Sequence, residues 1–238
     1  MTAQFQLGDT RVRVEFKDIQ NVHLSVHPPA GRVSISAPHR MPLETVRLFT
    51  ISKLDWIRRQ QRELQAQERE PVREYLPRES HYVWGERYLL RVVEREAKPV
   101  VTQDHRRITL AVRPGSDPTK RAEVLNQWHR TLLHEAIPPL LRKWEPRLRV
   151  EVRAYFLQRM KTRWGSCNHT AGHIRLNTEL VKKPRDLLEY VIVHELAHLR
   201  EPTHNERFVA ILNKHYPGWR EARAELNGLP LGAEVWGE

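Results

Sequence analysis

Cysteine is nearly missing. Cys167 stands alone in 238 residues, so no disulfide can form within the chain, and a cytoplasmic location is expected. No apolar run approaches the ~18 residues that a membrane-crossing helix needs, and residues 1–9 lack the apolar stretch of a secretory signal. No membrane partner is expected. Methionine stops early, the last of three being Met160. There is no dense basic tail either, although Lys and Arg outnumber Asp and Glu 40 to 29 and the formal charge is +11. The excess is divided almost evenly between the two halves of the chain, which weakens any argument from charge to nucleic acid.

What is present changes character along the chain. Val12, Val14 and Phe16, then Val22, Leu24 and Val26, then Val33, Ile35 and Ala37 alternate with polar residues, which predicts a small antiparallel meander. From Pro42 the period becomes helical through Val46, Phe49, Leu54 and Ile57. The run 58–73 is nearly all charged or Gln and reads as a solvated helical extension or linker. Two hairpins are expected next, one turning at Trp84-Gly85 and one at Asp104-His105. The breaker cluster 114–118 suggests a boundary, giving a β-rich region 1–115 with one long helix and a second domain 116–238.

In the second half a helix begins near 119, and Pro138-Pro139 is expected to end or kink it. A strand over 150–156 and a returning strand over 173–177 follow. Asp186 then suits an N-cap with Glu189 three residues on, as in a capping box. The helix so opened is apolar on most sides, through Leu188, Ile192, Leu196 and Leu199, yet it carries His194, Glu195 and His198.

That trio is the chemical signal. His194 and His198 are spaced i, i+4, which sets both imidazoles on one helix face. Glu195 stands where a general base for a zinc-bound water is wanted. Pro202 stops the helix, so the chain can return and bring His204 to the same ion. Three protein ligands with a fourth position left for water describe a catalytic zinc site. The His194-to-His204 offset matches that of metzincins. Their glycine position is Glu201 here, however, and no methionine follows the site, so the chain is not a metzincin.

The stretch 159–167 (Arg-Met-Lys-Thr-Arg-Trp-Gly-Ser-Cys), then Ile174-Arg175-Leu176-Asn177, then 190–199 around the histidines, then His204-Asn205 and Phe208 resemble the YgjP-like metal-dependent hydrolases, relatives of the SprT-like and WLM zinc metallopeptidases. Weaker similarity reaches back through 34–38, 53–57 and 85–88. The resemblance implies an α+β fold, a zincin-like, minigluzincin-type core in which the metal helix packs on a small sheet and a backing helix over about 119–137, with a β-rich N-terminal region. It implies His194, His198 and His204 as zinc ligands and Glu195 as base. By analogy with zincins, strand 173–177 would be the edge that aligns an extended peptide.

Arg163, Trp164, Arg175 and Asn177 are the candidate substrate-binding residues. Arg159, Lys161 and Arg163 share a strand face, and with Arg175 they would suit a triphosphate. A peptide or protein substrate is the first expectation. The resemblance also admits a nucleoside triphosphate (UTP) pyrophosphatase, and a nucleic-acid-associated protease acting through a basic surface. An open edge strand facing the metal would favour peptide, a closed basic pocket nucleotide. Cys167 reads as a buried structural thiol, with a fourth zinc ligand or a redox latch as alternatives.

Overall fold

The computed structural model describes residues 2–27, 31–66, 73–160 and 163–229, in mixed α and β elements. The chain divides into two compact units, Met1–Glu70 and Pro71–Ala233. The division thus falls well ahead of the 114–118 breakers, where residues 1–115 and 116–238 were expected to part. Packing is the reason. Leu125, beyond the breakers, closes one core with Val83, Leu90, Ile108, Leu110 and Val112 before them.

In the first unit, β1 (Thr2–Leu7), β2 (Thr10–Lys17), β3 (His23–His27) and β4 (Arg32–Pro38) form a sheet in the order β1-β2-β4-β3. The central pair β2/β4 is parallel and the outer pairs antiparallel. The expected meander is therefore corrected: β3 crosses over to the far side of β4. Alternation does identify the buried face, with Val12, Val14, Val33 and Ile35 all in the core. Period 2 assigns faces and carries no information on neighbour order. Helices α1 (Leu43–Ser52) and α2 (Leu54–Ala66) add Val46 and Ile57 to that core. They divide at Lys53 what the period suggested as one helix. The charged run continues α2 as far as Ala66; its residues 67–72 lie outside the described residues.

The second unit opens on β5 (Ser80–Val83), β6 (Glu86–Glu94), β7 (Val100–Gln103) and β8 (Arg107–Val112), in the order β5-β6-β8-β7. Both expected hairpins are present. Helix α3 (Pro118–Leu148) follows, its N-cap Asp117 accepting from Lys120 N–H at 2.7 Å. The helix continues past Pro138 and Pro139, so the prolines do not end it. Each proline removes a helical hydrogen bond, at ~3 kcal/mol. The buried stripe Leu133, Ile137, Leu141, Trp144 and Leu148 continues on both sides, and burying such a series offsets that cost at about 1.5–3 kcal/mol per side chain.

A three-stranded sheet follows: β9 (Ala154–Gln158), β10 (Gly165–Asn168) and β11 (His173–Asn177), in the order β10-β11-β9. Strand β11 is central, paired with β10 on one side and β9 on the other. It is not the edge strand that was expected; β10 and β9 are the two edges. Helices α4 (Arg185–His198), α5 (Glu206–His215) and α6 (Trp219–Gly228) complete the unit around its largest core.

Candidate metal centre

Helix α4 carries the site and is largely buried. Leu187, Leu188, Val191, Ile192, Leu196 and Ala197 are all buried. The helix starts after Pro184, with no side-chain cap. Asp186 lies inside the first turn. Glu189 does not close a capping box: its carboxylate accepts from Trp144 Nε1 at 2.6 Å and Lys143 Nζ at 2.5 Å, tying α4 to α3. A tertiary partner has taken the group that local sequence offered to the cap.

Three histidines converge. His204 Nε2 lies 3.1 Å from His194 Nε2 and 3.1 Å from His198 Nε2, and the three ligand atoms lie within 4.8 Å of one another. Nitrogens about 2.0–2.1 Å from one tetrahedral zinc stand roughly 3.3 Å apart, so the donor set fits such an ion. One ring is held through its second nitrogen, while His194 Nδ1 is buried without a hydrogen-bond partner among the described residues. His198 Nδ1 meets the Glu201 carbonyl at 3.1 Å. A carbonyl only accepts, so Nδ1 carries the proton and Nε2 presents its lone pair. Phe208 stacks on His198 at 4.5 Å and meets His194 and His204 edge-on at 5.0 and 4.8 Å. Phe208 is placed by Asn205, the N-cap of α5, which accepts its N–H at 3.1 Å. Burial, and then the neighbouring imidazoles, push His194 down to about 3, so that ring is neutral and ready for a cation.

Glu195 faces this cluster from a dry position, 5% exposed. Burial raises its carboxyl to about 8, opposed by Arg163. Gly165 makes the approach possible, since a Cβ there would stand 2.5 Å from Glu195 Oε1 and 2.8 Å from its Cγ. The Trp-Gly-Ser-Cys segment thereby acquires a physical role: it begins β10 and lays bare backbone against the carboxylate. Cys167 lines the same cleft but does not join the converging donors, and burial pushes its thiol up to about 11. Among the described residues the donor set is three histidines, which leaves a coordination position open.

The cleft measures about 750 Å³ and takes in Arg163 and Trp164 but not Arg175 or Asn177. Both have other partners. Arg175 lies over the Phe156 ring at 5.7 Å. Asn177 is buried, donating to the Met160 and Arg163 carbonyls at 2.9 and 2.8 Å and accepting from Glu179 N–H at 3.1 Å. It braces the segment leading into β10. Arg159 pairs with Glu179 at 3.9 Å, and Lys161 lies outside the described residues. The basic row suggested for a triphosphate is therefore not gathered in the cleft. Sequence reading missed Tyr190, Trp219 and Arg223, which do line it. The i, i+4 spacing of Trp219 and Arg223 was the available signal for a shared face.

The family model described as YgjP-like, metallopeptidase domain matches residues 21–229. The chain belongs to the YgjP-like metallopeptidase family. Membership of a metallopeptidase family implies a metal ion, and among the described residues His194, His198 and His204 are a group that could hold one. Among solved structures, the chain is similar to the metallopeptidase zymogen abylysin of Pyrococcus abyssi, at 22% identity and TM-score 0.35, over 37% of this chain and 89% of that one. It is similar also to the metallopeptidase zymogen jannalysin of Methanocaldococcus jannaschii, at 21% identity and TM-score 0.33, over 37% of this chain and 90% of that one. No curated protein matches. Among the described residues, no helix is long and apolar enough to cross a membrane.

Proposed function

We propose that this YgjP-like protein is a zinc-dependent peptidase of zincin-like architecture, with His194, His198 and His204 as ligands and Glu195 as general base. One observation carries the reading. The three Nε2 atoms converge beside the buried Glu195, and the strand at their flank, β10, is an edge whose outer side is unpaired among the described residues. When bound, zinc supplies Lewis acidity, lowering the pKa of a coordinated water toward about 7 and polarising the scissile carbonyl. Glu195 takes a proton from the attacking water and hands it to the leaving amine. The unpaired side of β10 offers main-chain donors and acceptors that hold an extended peptide. The single cysteine supports a reducing, cytoplasmic setting.

The test is to give the zinc-loaded protein unstructured casein-like chains and, separately, nucleoside triphosphates. Peptide-bond cleavage that is lost in Glu195→Gln is the expected result. Pyrophosphate release without peptide cleavage would replace this reading by the nucleotide one, which the scattering of Arg159 and Arg175 disfavours. A nucleic-acid-associated protease would add salt-dependent DNA binding to the peptidase result.

A further inference from the structure

The cleft that holds the histidines is lined by two guanidiniums and one carboxylate. Arg163 stands at the entry to β10 and Arg223 on α6. Strand β10 and helix α6 each pack on α4, so the two cations approach the reactive centre from different elements. Both residues are exposed, and neither side chain has an ion-pair or hydrogen-bond partner among the described residues. Among the described residues the single carboxylate of the lining is Glu195, buried and already assigned to proton transfer. Both guanidiniums line the same cleft as Glu195 and the three histidines.

Resting on the peptidase reading above, we infer that the cleft selects peptides carrying Asp or Glu beside the scissile bond, with Arg163 and Arg223 as the residues that set this specificity. An acidic side chain entering the cleft finds a guanidinium with no competing carboxylate. A lysine or arginine side chain finds two like charges and no acid to meet it, which is discrimination by repulsion as well as attraction. The unpaired edge of β10 calls for an extended main chain, so the anionic group recognised is a side chain of that peptide. A nucleoside triphosphate offers the cations its charge and offers β10 nothing.

The test uses the zinc-loaded full chain and three matched peptide series with Glu, Gln or Lys at the positions flanking one scissile bond. The readout is the ratio of kcat/KM between series. Glu peptides are expected to exceed Lys peptides by on the order of 10-fold at low salt, with the ratio shrinking as salt rises. Arg163→Gln and Arg223→Gln each lower the ratio, and Arg223→Glu moves the preference toward Lys. Metal content and circular dichroism of each variant establish that it is folded and loaded. Equal cleavage of the three series, a preference for Lys, or a Glu preference unmoved by all three variants overturns the inference and leaves the peptidase reading standing. Hydrolysis of nucleoside triphosphates alone, or of nothing, overturns both.

Discussion

The chain builds one sheet topology twice. In β1-β2-β4-β3 and again in β5-β6-β8-β7, a parallel pair lies at the centre and an antiparallel strand on each flank. Each is followed by helix that closes its core, α1 and α2 in the first case and α3 in the second. The two differ at the first turn. Gly8, between β1 and β2, has φ +56, and a Cβ there would meet no described atom within 4 Å. The corresponding Trp84-Gly85 has positive φ at both residues, 52 and 84, as a type I′ turn requires, and it is packed. Trp84 N–H donates to the Val181 carbonyl at 2.7 Å, Arg185 lies 4.7 Å over the indole, and a Cβ on Gly85 would stand 3.0 Å from Pro184. Pro184 and Arg185 are where α4 begins. One copy of the topology thus ends in an open turn, while the other buttresses the start of the metal helix. The lesson is that a repeated topology need not repeat a function; here the role resides in what the turn touches.

Substitution at the two turns should break the symmetry most. Gly85→Val strains a positive φ and drives its side chain into Pro184, at a cost of roughly 3 kcal/mol, whereas Gly8→Val carries only the backbone strain, about 1–2 kcal/mol. Thermal unfolding of the two variants measures this, and equal losses would remove the distinction.

Acid should separate the units next. His81 and His129 are buried in the second unit, and burial pushes them down to about 4 and about 3. No histidine of the first sheet is buried. Although His81 Nε2 lies 3.6 Å from Glu79, its lowered pKa makes the ring neutral near pH 7, so the contact is not an ion pair there. With both pKa values lowered by folding, the unfolded chain binds more protons below pH 6.5. The stability these rings allow is present above that value and is lost as pH falls through about 4 and then 3, on the order of a few kcal/mol in all. Hydrogen exchange read separately over the two units should show the second opening first on acidification. His129→Leu should shrink the difference. Simultaneous opening would contradict the account.

A smaller effect is expected on metal affinity. Gly85→Val should weaken zinc binding by on the order of 10-fold through the start of α4, the size seen when ligand-supporting structure is disturbed, and Gly8→Val should leave it unchanged. Competition with a chelator of known affinity reads the difference. Smaller still, Trp84→Ala should cost about 1–2 kcal/mol by loosening the turn from Val181 and Arg185.

The same contrast explains what sequence could and could not reveal. His194, Glu195 and His198 were legible because helix periodicity is local, and His204 because Pro202, four residues after His198, keeps the helix from continuing and lets the chain return. The buried faces of β2 and β4 were legible through alternation. Neighbour order was not, since a face pattern is the same for a meander and for the crossed sheet observed. Pro138 and Pro139 misled because the packing that overrides them comes from distant residues. Glu189 looked like a cap and is claimed by Lys143 and Trp144, and Asn177 looked like substrate contact and is spent on the segment before β10. Arg223 reaches the cleft only because α6 packs on α4. Each miss is a long-range partner outbidding a local preference.

The central claim is that three histidines hold the metal while Glu195, which does not, moves the proton. Zinc content and peptide turnover measured together on Glu195→Gln test it most directly. The account predicts one zinc per chain, as in the wild type, with turnover reduced at least ~10²-fold. Full turnover at full zinc occupancy would contradict it.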